Sequence, residues 1–181
     1  MAIRKIITYP DPLLQRVAKP VEKFDSKLAA LVADMVETMR YAPGIGLAAP
    51  QVGESIRLII VEVKTDEEES PAQLYAVCNP EITRRAGEAK IEEGCLSCPG
   101  LYVEIERSAE VTVEGENPDG TRFILEAEGL LAICFLHEID HLDGKLLVSY
   151  VSPLRREAYR KEIQQTRVRA DGTPDDRRKA L

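Results

Sequence analysis

The sequence predicts an α+β protein, with mostly antiparallel sheets packed around one central buried helix and a further helix near the C-terminal end. Three observations predict it. Short β-rich runs follow one another from Ile56 to Glu126 with tight turns between them, which suits antiparallel pairing rather than βαβ crossovers. Only three stretches have helical length and rhythm. One of these, Glu128 to Leu142, is apolar nearly all round yet contains both histidines of the chain, so it belongs inside the sheets rather than on them.

At 181 residues, with 44% apolar and 30% charged side chains, the chain has enough material for one domain with a sizeable core. A formal charge of −7 speaks against wholesale nucleic-acid binding, and no direct DNA contact is expected. The charge is unevenly spread, however. Beyond Pro153 nine Lys or Arg residues face five acids, a surplus of four, which leaves −11 on the rest of the chain. That basic end is either a contact for an anionic partner or a solvated helix with a frayed end. No apolar run is long enough to span a bilayer, and residues 1–10 lack the apolar core and cleavage site of a signal peptide. A cytoplasmic protein without membrane contact is expected. Four cysteines, Cys78, Cys95, Cys98 and Cys134, then point to thiol or metal chemistry or plain burial, not to a disulfide framework.

Taken in order, Ile3 to Leu14 is broken by Pro10 and Pro12 and reads as an irregular segment lying on the body. Asp25 or Ser26 caps the first helix, in which Leu28, Leu31, Val32, Met35, Val36 and Met39 keep the i, i+3, i+4, i+7 rhythm as far as Tyr41. Ala42 to Gly53, rich in Gly, Ala and Pro, reads as a loop. Its Gly44-x-Gly46-x-x-Ala49 formally matches a dinucleotide fingerprint. That motif should follow a strand and open a helix, whereas this one follows a helix and meets Pro50, and no Gly-Lys-Ser/Thr follows to make a phosphate loop. What remains is a loop that lets backbone approach a ligand. Its one polar side chain in apolar surroundings, Gln51, either donates to a developing oxyanion or satisfies loop backbone.

Ile56 to Val63 is a strand, Lys64 to Pro71 an acidic exposed loop, and Gln73 to Cys78 a second strand stopped by Asn79-Pro80. Further strands are expected at Glu81–Arg85, Ala89–Glu93, Leu101–Glu106, Ala109–Gly115 and Thr121–Glu126, with a turn at Asn117-Pro-Asp-Gly120. Asp143-Gly144 stops the central helix, and a third helix runs from about Pro153 to Arg169.

The chemistry concentrates in the central helix. Residues four apart lie on one helix face, so His137 and His141 of His137-Glu-Ile-Asp-His141 can aim two imidazoles at one metal ion. Glu138, the next residue round, sits where a general base for an activated water has to be. A catalytic site needs a third protein ligand, and Glu92-Glu-Gly-Cys-Leu-Ser-Cys-Pro99 offers Cys95 and Cys98. If both ligate, the site is a closed Cys₂His₂ structural centre and the protein a binding module. If only Cys95 does, room for water remains beside Glu138. The long gap from Cys98 to His137 and the presence of Glu138 favour the second arrangement. A redox Cys-x-x-Cys lacks the βαβ surroundings it normally has.

Three stretches together, Gly44-Ile-Gly-Leu-Ala-Ala-Pro-Gln51, Glu93-Gly-Cys-Leu-Ser97 and His137-Glu-Ile-Asp-His141-Leu, resemble in order the three motifs of the peptide deformylase family. The likeness runs from the entry segment to about Leu154. It implies a hydrolase that removes the formyl group from N-formylmethionine of new polypeptides, an N-terminal methionine processing step of protein biosynthesis. It also implies antiparallel sheets around a central helix. Carried over residue by residue, it makes Cys95, His137 and His141 metal ligands and Glu138 the acid/base. Gln51, through its amide, and Leu96, through its backbone N–H, become oxyanion donors, and Gly46 a partner for substrate backbone. Ile45, Leu130, Ile133 and Cys134 match positions lining a methionine pocket.

The resemblance implies Fe²⁺ in the cell, with Zn²⁺ or Ni²⁺ also accommodated, whereas ligand type alone points to zinc. Two residues depart from the family pattern: Leu136 stands where Gln is common, and Cys98 where an aliphatic residue is usual. Arg107 and Asp140 are a candidate pair bracing the helix, or an ordinary ion pair. The expected division is a single catalytic metallohydrolase domain over 1–153 and a basic helix and tail over 154–181. In some members such a tail docks on the ribosome, which makes the ribosome a candidate partner beside N-formylmethionyl nascent peptides. An ordinary metallopeptidase is the alternative within the enzyme class.

Overall fold

The computed structural model describes residues 2–64 and 72–167. Helix α1 (Ser26–Tyr41) opens on Asp25, whose carboxylate accepts from the Lys27 and Leu28 N–H groups and satisfies two of the first-turn donors. Seven strands follow: β1 (Gly46–Ala48), β2 (Leu58–Val63), β3 (Gln73–Ala86), β4 (Ala89–Gly94), β5 (Tyr102–Arg107), β6 (Glu110–Glu116) and β7 (Arg122–Glu128). Helices α2 (Gly129–Leu142) and α3 (Pro153–Arg167) complete the order. All named pairings are antiparallel, in a five-stranded sheet β1-β2-β3-β6-β7 and a separate hairpin β4-β5. The α+β architecture expected from the sequence is the one observed.

Strand β2 explains how the layers stack. It is buried on both sides, and its side chains alternate between two cores, as strand periodicity requires. Ile59, Val61 and Val63 join Phe135, Ile139 and Leu142 of α2 in one cluster. Leu58 and Ile60 join Leu28, Leu31, Met35 and Met39 of α1 in another. Helix α2 is thus clamped to the sheet by residues four apart on one face, Phe135 and Ile139, and Phe135 is wholly buried. A third cluster gathers Tyr9 and Leu14 of the entry segment, Cys98, Val103 and Ile105 of the hairpin, and Tyr159 and Ile163 of α3.

Two departures from the sequence expectation bear on the site. The Gly/Pro stretch after α1 is not all loop. Gly46–Ala48 pairs with β2, Gly46 opposite Val61, before a short 3₁₀ turn over Ala49–Val52. The strand is completely buried: its small residues Gly46 and Ala48 lie against α2, and Leu47 between them joins the α1 cluster. Asn79-Pro80 does not stop a strand either: Gln73–Ala86 is continuous, with an irregularity between Cys78 and Glu81. Asn79 takes φ 50° and its amide brackets Val21, accepting from the Val21 N–H at 2.7 Å and donating to its carbonyl at 3.0 Å. The strand therefore bulges around Pro80 rather than ending. Gly144, at φ 72°, ends α2, and a Cβ there would lie 2.6 Å from the Gln15 carbonyl oxygen. Most of the acidic loop expected at Lys64–Pro71, and the basic segment beyond Arg167, lie outside the described residues.

Candidate metal centre

Helix α2 carries His137, Glu138 and His141, and the turn after β4 carries Cys95. The Cys95, His137 and His141 ligand atoms all lie within 4.8 Å of one another. Cys95 Sγ is 3.2 Å from His141 Nε2. Tetrahedral ligands held at ordinary zinc distances stand roughly 3.3–3.6 Å apart, so this donor set fits a small divalent cation. Its chemistry, one soft sulfur and two imidazoles, suits zinc and iron alike. Cys98 is not in the cluster.

The two histidines are supported differently. His137 Nδ1 lies 2.7 Å from Glu93 Oε2, which leaves Nε2 for the cation, the carboxylate–histidine arrangement common at metal sites. Glu93 is gripped in turn by both Nε and Nη2 of Arg107, and Arg107 Nη1 donates to Asp140 at 2.9 Å. Tyr150 closes the series by donating to Asp140 at 2.5 Å, with the Arg107 guanidinium over its ring. Burial pushes the Glu93 carboxyl up, but hydrogen bonds from His137 and Arg107 outweigh it and hold it below the usual range. His141, only 2% exposed, has no partner for Nδ1 among the described residues.

Glu138 is 4% exposed and its Oε2 also has no protein partner among them. Burial pushes its carboxyl up to about 7. The Cys95 thiol is held well below its usual value, first by the hydrogen bond from Cys98 and, against the opposing effect of burial, by His141. Gly46 lets β1 pass directly over Glu138: a methyl group at Gly46 would overlap Glu138 Oε1 and lie 2.9 Å from Cys134 Sγ.

Gln51, 1% exposed, satisfies loop backbone, one of the two readings the sequence left open. Its Oε1 accepts from the Ala48 N–H at 2.8 Å, while its Nε2 donates to Ser97 Oγ at 3.1 Å and lies 3.7 Å from Cys95 Sγ. The Leu96 N–H is used by none of the backbone hydrogen bonds of the surrounding turn. A cleft of about 990 Å³ opens over these groups and is lined by all five residues expected to meet substrate, Ile45, Gly46, Leu130, Ile133 and Cys134. Ile133 and Cys134 form its buried floor, and Ile45 and Leu130 are half exposed at its mouth.

The structure also brings in residues that sequence reasoning did not single out. Glu93 lies two residues before Cys95 on an extended strand end, so period-two alternation was the available signal. Ser97 is completely buried; it accepts from Gln51 and donates to the Ile7 carbonyl at 2.8 Å. The Ile7 N–H donates to Gln51 O at 2.8 Å and the Tyr9 N–H to Ser97 O at 2.9 Å. The entry segment is thus a strut joining the two loops that carry Gln51 and Cys95. Leu136, 4% exposed, packs in the core and supplies no hydrogen bond to the site.

A thiol and two imidazoles converging beside a buried carboxylate, at the foot of an open cleft, define a metal-dependent hydrolase. Comparison with known proteins narrows the class. Residues 3–157 match the family model described as polypeptide deformylase. The chain is 48% identical over 166 residues to peptide deformylase 1 of Burkholderia multivorans, covering 91% of this chain and 90% of that one. It is 44% identical to peptide deformylase of Acinetobacter baumannii, covering 91% and 92%. Among solved structures, peptide deformylase from Legionella pneumophila superposes with TM-score 0.82 at 46% identity, covering 90% of this chain and 94% of that one. The Ehrlichia chaffeensis enzyme in complex with actinonin gives 0.85 at 36%, covering 91% and 97%. The chain belongs to the polypeptide deformylase family, and removal of the N-terminal formyl group from polypeptides is its activity.

Proposed function

We propose that Cys95, His137 and His141 hold one divalent cation and that Glu138 carries the proton in the hydrolysis of N-formylmethionyl nascent peptides to formate and a free methionine N-terminus. The observation that carries this reading is Glu138 itself: a buried carboxylate with an unpartnered oxygen beside three convergent donors. When bound, the cation supplies Lewis acidity, polarising the formyl carbonyl and making water a better nucleophile. Glu138 accepts the proton of the attacking water through Oε2 and returns it to the leaving amine. Gln51 Nε2 and the Leu96 N–H donate to the oxygen that becomes negative, each worth on the order of 100-fold in turnover. Gly46 offers backbone to the substrate chain. Ile45, Leu130, Ile133 and Cys134 enclose the methionine side chain, whose flexible thioether suits an apolar floor.

Fe²⁺ is the cellular cation in this proposal, with Zn²⁺ or Ni²⁺ as replacements in purified protein. The reaction takes place in the cytoplasm, where nascent chains emerge. Among the described residues no helix is long and apolar enough to cross a membrane. Residues 1–153 form the catalytic unit, and the basic stretch 154–181 is the surface for ribosomal contact, supported by its surplus of four positive charges. The test is metal content per chain together with formate release, under anaerobic conditions, from formyl-Met peptides and their acetylated counterparts. One cation per chain and formate from the formyl peptide alone are expected. Cleavage of internal peptide bonds without formate would overturn the assignment in favour of an ordinary peptidase.

A further inference from the structure

Cys98 lines the cleft, yet the hydrolysis proposed above gives it no part. Its N–H donates to the Cys95 carbonyl at 2.9 Å, closing a four-residue turn from Cys95 to Cys98. Such a turn holds its first and last Cα atoms within about 7 Å, and disulfides take Cα pairs roughly 4.4–6.8 Å apart. The turn brings both side chains to one wall of the cleft. Cys98 packs in one cluster with Leu147 and Val148, which confines its side chain. Cys98 has 0% exposure whereas Cys95 is partly exposed, so a small solute entering the cleft meets Cys95 first and Cys98 lies behind the wall they share.

We propose that Cys95 and Cys98 form a reversible oxidation site, in which a hydroperoxide converts the ligand thiol to a disulfide with Cys98 and so withdraws it from the cation. The Cys95 sulfur attacks the terminal peroxide oxygen, the O–O bond breaks, and a sulfenic acid forms with release of water or an alcohol. The Cys98 sulfur then attacks the Cys95 sulfur, forming the S–S bond, and the hydroxyl leaves as water with the thiol proton. Two electrons pass from the two thiols to one peroxide. A dithiol reductant reverses the bond. Without Cys98 the sulfenic acid goes on to sulfinic and sulfonic acids, which thiols do not reduce. The loss of the cation rests on the reading of Cys95 as its ligand; the disulfide does not.

The full chain is loaded with Zn²⁺, which has no redox chemistry of its own, treated with hydrogen peroxide, alkylated, and analysed by intact mass and peptide mapping, with released zinc read by a chromogenic chelator. Loss of two hydrogens, a Cys95–Cys98 linked peptide and stoichiometric zinc release are expected, all reversed by dithiothreitol and fresh zinc. In Cys98→Val, Cys95 gains two or three oxygens that dithiothreitol does not remove. Wild-type protein in which Cys95 gains those oxygens while Cys98 still alkylates would overturn the proposal, as would a Cys95–Cys134 bridge or no oxidation at all. Should Cys98→Val not fold, the wild-type mass decides. Zinc affinity unchanged in Cys95→Ala would instead overturn the ligand reading, whatever the disulfide result.

Discussion

The two imidazoles of one helix turn are held by opposite means. His137, whose side chain is 12% exposed, is fixed by charge: Glu93 behind it, Arg107 behind Glu93, then Asp140 and Tyr150. His141 is fixed mainly by packing: beyond the Cys95 sulfur at Nε2 it has no polar partner among the described residues, and its Nδ1 has none. A ring at the cleft wall has room to rotate and needs a directional bond to stop it, whereas a buried ring is already confined by its neighbours. The helix thus presents one imidazole whose orientation depends on a polar relay and another whose orientation depends on the core.

The largest expected effect comes from leaving both arms intact and removing the carboxylate between them. Glu138→Ala should retain its cation yet lose 100-fold or more in turnover, on the order expected for a general base; metal analysis beside formate release checks it. Gly46→Ala should follow, because the added methyl displaces Glu138 while both imidazoles stay in place. Reduced kcat at full metal content is the signature. Breaking the polar arm itself, Glu93→Gln should weaken cation affinity by about tenfold or more, measured by chelator competition, since partners of this kind are typically worth 10–100-fold. At the far end of the relay, Tyr150→Phe removes one hydrogen bond to Asp140 and should cost about 1 kcal/mol in thermal or denaturant unfolding.

The smallest effect is remote from both histidines. Arg40 grips Glu62 with two hydrogen bonds, and these hold the Glu62 carboxyl below its usual value against burial. A carboxyl lowered in the folded state stabilises above its unfolded pKa, and that stability disappears as pH falls through the folded value. Melting temperature should therefore drop slightly faster on acidification in the wild type than in Glu62→Gln, with no change in metal affinity.

Much of this site was readable in the chain because its strongest signals are local. The spacing of His137 and His141 and the rhythm of Leu28 to Met39 each belong to one helix, where four-residue periodicity has a direct geometric meaning. The convergence of Cys95, His137 and His141 was legible for that reason, together with the family resemblance. The relay behind His137 was not, apart from the Arg107–Asp140 pair. Its members come from β4, β5, α2 and the segment after it, and only the packing of those elements makes Glu93 the partner of both His137 and Arg107. The short strand at Gly46–Ala48 escaped for a different reason: small flexible residues carry little strand preference, and pairing with β2 overrides it. Asn79-Pro80 misled because a breaker pair was read as an end, while the Asn79 side chain, anchored to Val21, lets the strand continue past it.

The strut made by Ile7 and Tyr9 ties the site to the beginning of the chain. It bonds the chain's opening residues to loops centred on positions 51 and 97, and the Ser97–Ile7 contact alone spans 90 positions. Contacts of such long sequence separation carry a loop-closure cost that local helix and hairpin contacts do not. His137, Glu138 and His141 follow every strand among the described residues, so the site draws on the chain's first ten residues and on α2 at once, and only the complete fold assembles it.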